Sequence, residues 1–166
     1  MSNCYSYSYE RNNRKCKTNY SPETNTLAYP IAQKLQKYHY KLAIQWAVEC
    51  IQIYASEVNP DKLFQLNKYM QQAMEEQNSL TASQCLEIST EIWYLPDRED
   101  IQTAISRMWA SISAFKVGEE HGGIMETTAA VELVLPDISD SRLLNRYLKA
   151  AMKICEEYES QNQTCE

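Results

Sequence analysis

"DREDIQTAISRMWASISAFKVG", residues 97–118, decides the fold class. Ile101, Ala104, Ile105, Met108, Trp109, Ile112 and Phe115 recur at steps of three and four, which is one face of a helix. The ends agree with the middle. Asp97 is placed as an N-terminal cap with acidic residues in the first turn, and Gly118 stands where a left-handed C-terminal cap belongs.

The same grammar repeats in both directions. Upstream, Thr81 and Gln84 match a capping box for a helix that stops before Pro96. Asn59, Pro60 and Asp61 open another, striped by Leu63, Leu66, Met70, Ala73 and Met74. A long helix is predicted from Pro30, with Ile31, Leu35, Tyr38, Leu42, Trp46, Cys50 and Ile53 on one face. Downstream, "TTAAVELVL" (127–135) closes a fifth segment running from about Ile124 to Leu135. Its Val and Thr content permits a strand, but a strand would have no partner, so a central buried helix is predicted. After Pro136 a last helix carries Leu144, Tyr147, Leu148, Ala151, Cys155 and Tyr158.

Composition points the same way. Three glycines and five prolines in 166 residues are too few for the turns of an all-β fold or the loops of a parallel α/β fold. The expectation is an all-α, single-domain bundle of about six helices over residues 27–160, with a frayed end at 161–166. Residues 1–26, rich in Tyr, Ser and Asn, read as a flexible or loosely packed arm. "YSYSY" (5–9) alternates, but a lone strand there would have nothing to pair with. Tetratricopeptide and ankyrin landmarks are absent, which favours a compact bundle over a solenoid.

A net charge of −6 argues against general nucleic-acid or anionic-membrane binding, and no apolar run is long enough to span a bilayer. The start lacks a secretory layout, so a cytoplasmic location is expected. Six widely and irregularly spaced cysteines form no C-x-x-C pair. Cys50, Cys85 and Cys155 fall among apolar residues and read as free thiols; Cys4, Cys16 and Cys165 read as exposed ones.

All three glycines sit in "VGEEHGGIME" (117–126), together with Glu119, Glu120, His121 and Glu126. This candidate loop supports little chemistry. The chain has two histidines, no H-E-x-x-H and no paired E-x-x-H, so no metal centre is expected. Gly122-Gly123 could expose N–H groups to an anion, but the flanking acids would repel phosphate and no G-K-[ST] follows. No nucleophile, histidine base and orienting acid are linked locally, and His39 in "KYHYK" reads as a surface or groove histidine. The cluster reads as a joint: Gly118 closes one helix, and Gly122-Gly123 give the backbone freedom to enter the next. No catalytic residue, metal or cofactor is assigned.

Twelve tyrosines against two phenylalanines are unusual, and tyrosine is enriched at binding surfaces. Trp46, Trp93 and Trp109 lie near apolar stripes and suit helix–helix packing. The functional counterpart is an aromatic interaction surface drawn from Tyr38, Tyr40, Trp46, Tyr54, Tyr69, Trp93, Tyr94 and Trp109.

Three blocks, "KLAIQWAVECI" (41–51), "CLEISTEIWYLPDREDIQTAI" (85–105) and "MWASISAFKVGEEHGGIMETTAAVEL" (108–133), carry a resemblance. Their order of W-A-x-x-C helix, aromatic-ended helix, glycine break and Ala-rich helix resembles small all-helical bacterial immunity proteins of toxin–immunity systems and related uncharacterised helical families. The resemblance implies a non-enzymatic protein that binds another protein, and it carries over no catalytic residues. The functional expectation is therefore protein–protein binding, as an immunity-type inhibitor or an adaptor, with a basic partner suited to an acidic chain. The alternative is a small-ligand-binding domain or small enzyme with a pocket near 118–126. A third class is a regulatory factor whose arm folds on a partner.

Overall fold

The computed structural model describes residues 27–136 and 139–163. Among them are seven α-helices and no strand: α1 Ala28–Tyr38, α2 Tyr40–Val58, α3 Pro60–Glu76, α4 Ala82–Trp93, α5 Asp100–Lys116, α6 Glu120–Leu133 and α7 Ser141–Gln163. The all-α reading holds, and the helical domain runs to Gln163, three residues beyond the expected 160. The expected arm, residues 1–26, lies outside the described residues.

The extra helix arises at His39. The stripe Leu35, Tyr38, Leu42 keeps step across this position, so periodicity alone predicts one continuous helix. The backbone instead opens to an extended conformation (φ −167°, ψ 137°). His39 donates its own N–H to the Leu35 carbonyl, and its Nδ1 accepts the Lys41 N–H at 3.1 Å, capping α2. The break lets α1 turn back onto α6 and α7 while α2 continues past α3, α5, α6 and α7.

The other ends follow local chemistry more closely. Asn59 accepts from Lys62 N at 3.1 Å with Pro60 at the first position of α3. Both capping-box bonds of Thr81 and Gln84 are present, at 2.9 and 3.1 Å. Gly118 is left-handed (φ 80°); its N–H bonds the Phe115 carbonyl, and the Glu119 N–H bonds the Ala114 carbonyl. That bond pair is a Schellman close for α5. Asp97 departs from expectation. It adopts φ 56°, while Glu99 takes the cap position, its side chain accepting from Asn59 Nδ2 at 3.0 Å and not capping the helix. A tertiary contact explains the change: the Asp97 carbonyl accepts Lys62 Nζ of α3 at 3.1 Å, and that turn presents it.

Helix α5 is the axis of the bundle, packing against α2, α3, α4 and α6. It is buried on nearly every side, including polar Gln102, Ser106, Arg107, Ser111 and Ser113. The small serines, with hydroxyls that can bond, bring neighbours close. Ser89 and Ser106 exchange hydroxyl-to-carbonyl bonds at 2.7 Å between α4 and α5. The Ser111 and Thr127 hydroxyls both donate to the Gly123 carbonyl at 2.9 Å, joining α5 to α6. Buried hydroxyls are tolerated because each is bonded.

Candidate functional site

The glycine joint is structural in a different way from the one expected. Only Gly118 needs its freedom of backbone. Gly122 and Gly123 lie inside α6, which begins at Glu120, and both are buried. A Cβ on Gly123 would stand 2.5 Å from the Phe115 ring, so this glycine exists to admit an aromatic side chain. Phe115 fills the space over Gly123 and stacks at 5.3 Å on Tyr40. Glu119, Glu120 and His121 are exposed at the entry of α6, with the His121 ring edge-on to Tyr29 at 6.4 Å.

Glu126 points away from that loop. It pairs with Arg107 at 3.5 Å between α5 and α6, both side chains being under 10% exposed. Glu132 lies in the same hairpin. Burial pushes its carboxyl up to about 7, against the opposing pull of Arg107. Among the described residues, no group of three His, Cys, Asp or Glu is placed to hold a metal ion. Cys50, Cys85 and Cys155 are free thiols; Cys4, Cys16 and Cys165 lie outside the described residues.

The eight aromatic candidates do not form one surface. Trp46 and Trp109 belong to the core, where their indole N–H groups donate to the Tyr147 and Tyr69 carbonyls at 2.9 and 3.2 Å. Trp93 is buried with Arg98 over its ring at 4.5 Å. Tyr40 and Tyr54 are half-buried. Tyr38 is exposed at the end of α1, against Tyr158 and hydrogen-bonded to Glu159 at 3.2 Å. Their scatter follows from the stripes they occupy, since a stripe residue is drawn into whichever interface its helix makes.

Tyr69 is different, because it lines an open groove between α3 and α4. These helices are consecutive, yet they scarcely touch; each packs on α5 instead. Small serines let α4 close onto α5, whereas the Trp109 indole stands between α5 and the Tyr69 backbone and holds α3 off. The result is a cavity of about 410 Å³. Its floor is Tyr69 and Ile88, and its rim includes Lys68, Gln72, Glu75, Glu76 and Glu91.

One turn before Lys68 on α3 stands a residue that sequence reasoning passed over. Phe64 is 86% exposed. It falls off the Leu63, Leu66, Met70 stripe and onto the helix face of Lys68, Gln71 and Glu75, at steps of four, seven and eleven. That displacement, in one of only two phenylalanines, was the available signal. The bonds Tyr69 Oη to Glu91 (2.9 Å) and Lys62 Nζ to the Asp97 carbonyl (3.1 Å) set the register of the two helices. Tyr94, 67% exposed and three residues beyond Glu91, therefore lies on the Phe64 side.

The groove is acidic, with Glu75, Glu76 and Glu91 against Lys68. The Lys68 ammonium lies 4.8 Å above the Tyr69 ring. Burial, and then the Glu91 hydrogen bond, push the Tyr69 hydroxyl up to about 12, so it stays a donor. Glu75 accepts from Gln71 at 3.1 Å. The lining has carboxylates, amides, an aromatic face and an isoleucine, but no histidine or cysteine.

No family model matches the chain, and no curated protein or solved structure matches it either.

Proposed function

We propose that this chain acts without chemistry of its own, by docking another protein at the α3/α4 groove. The observation that carries the reading is an open groove between two consecutive helices, with an exposed phenylalanine, Phe64, one turn before Lys68 on the same helix. Large apolar side chains left in water beside a concave, partly polar surface are the usual anchors of an interface. The acidic lining and the net charge of −6 favour a basic partner, through steering and register. An immunity-type inhibitor of a basic toxin and an adaptor are the two forms this reading takes. No helix among the described residues is long and apolar enough to cross a membrane.

Affinity capture from native cell extract tests it, using the full chain, the chain lacking residues 1–26, and Phe64→Ala. A basic protein retained by the full chain and lost with Phe64→Ala supports the proposal. A co-purifying small molecule with no protein partner overturns it.

A further inference from the structure

The groove has a composition as well as a shape, and this defines what it takes. The inference rests on the reading of the groove as a docking site. A cavity of about 410 Å³ suits a few side chains of a segment, not the body of a domain. Glu75 and Glu91 each accept one hydrogen bond from their own chain, from Gln71 and from Tyr69, and a carboxylate has room for more. The ring of Tyr69 already supports an ammonium, that of Lys68, and beyond the groove end Trp93 supports the guanidinium of Arg98. Cations on aromatic faces beside carboxylates are the local chemistry of this surface. Ile88 on the floor and Phe64, one turn before Lys68, add the apolar part.

We infer that the groove binds a short Lys- or Arg-bearing segment of a partner protein. Its cations lie between Glu75, Glu76 and Glu91, one apolar side chain of the same segment covers Ile88, and a second, further along the segment, meets Phe64. An acidic segment would meet three carboxylates with only Lys68 to offset them, and a purely apolar one would strand those carboxylates without partners.

The test is a fluorescence-anisotropy titration of the full chain with three labelled synthetic peptides of about 12 residues, a length that can lie along such a groove. One alternates Leu with Lys, one Leu with Glu and one Leu with Ser. Each is titrated against the wild type, E75K/E91K, Phe64→Ala, and E156K/E157K on α7, which matches the net charge of the groove variant. The Lys peptide should bind best. Its affinity should fall about ten-fold or more in E75K/E91K and by less than about two-fold in E156K/E157K, and it should weaken in about 0.5 M salt. If E75K/E91K fails to fold by circular dichroism, E75Q/E91Q replaces it with the same expected direction.

The failures separate. Equal loss in both charge variants means diffuse attraction and overturns the inference. A Ser or Glu peptide that binds as well as the Lys peptide, and depends on Phe64, overturns the basic segment but keeps the docking site. No peptide binding, or binding indifferent to Phe64 and the groove glutamates, overturns both. Self-association in sedimentation equilibrium that E75K/E91K abolishes makes the occupant a second copy, and this also overturns the inference.

Discussion

The α5/α6 and α3/α4 hairpins are built alike in sequence and end differently in space. Each joins two consecutive helices across a short turn with a recognisable cap. In the first, Ser111, Gly123 and Thr127 face one another, so the backbones close and the hairpin buries an Arg107–Glu126 pair. In the second, Tyr69, Gln72 and Glu91 face the gap, and the helices stay apart. The residues in the seam, not the turn, decide whether a helical hairpin becomes core or groove. Removing a small or paired residue should damage the first, whereas the second should lose binding before it loses stability.

The largest effect is expected from Arg107→Ala. It leaves Glu126 and Glu132 in the α5/α6 seam without their cation, and breaking a buried pair costs about 3–5 kcal/mol. Urea unfolding monitored by circular dichroism measures it; a loss below about 1 kcal/mol would show that the seam is not held by charge.

Gly123→Val comes next. The added side chain must displace Phe115, which Tyr40 backs, at an overpacking cost of about 1–3 kcal/mol. Combining it with Phe115→Ala should cost less than the two single losses together. Strict additivity in a double-mutant cycle would break the proposed contact.

Glu132 gives the hairpin a pH dependence of defined sign. Its folded value, about 7, lies above the ordinary 4.5, so the folded chain holds this proton more tightly than the unfolded one. Its contribution is favourable below pH 4.5 and is lost as pH rises from there through 7. Glu132→Gln should flatten this part of the stability profile and raise stability at pH 8 by about 1–2 kcal/mol, less than the full shift implies because water screens the half-exposed carboxyl. Thermal melts across the pH range, giving parallel curves for both proteins, would remove Glu132 from the account.

Beside the groove, Phe64→Ser should change stability by less than about 0.5 kcal/mol while weakening partner binding, since the ring makes its contacts with water. A loss of stability would place Phe64 in a packed environment. The last effect is a small gain, at the turn between α4 and α5. Asp97→Gly removes the left-handed strain at φ 56° and keeps the carbonyl that Lys62 bonds, for a gain of at most about 1 kcal/mol in thermal unfolding.

Much of the fold was legible in sequence because helix ends are local. Asn59-Pro60-Asp61, the Thr81/Gln84 box and Gly118 work through bonds spanning a few residues, and their side chains state them directly. Cys50 and Cys85 within apolar stripes were likewise readable as core. The candidate site was much less legible. Of eight aromatics proposed for a surface, Trp46, Trp93 and Trp109 are buried, Tyr69 lines the groove, Tyr94 is exposed, and Phe64 was passed over. A stripe shows that a face is apolar, but not which neighbour will cover it.

Local signals along the chain specify a helical protein, the ends of most of its helices, and the left-handed close at Gly118. Packing between distant helices is what interrupts a continuous stripe at His39, since the turn at that point lets α1 pack back onto α6 and α7. It also decided that Gly123 serves a neighbour's ring, that Asp97 gives its carbonyl to Lys62, and that α3 and α4 part around a groove. The division has one physical reason. Caps and periods act over one or two helical turns, whereas closeness between helices depends on the volumes that meet across a seam, and those come from residues far apart in the chain.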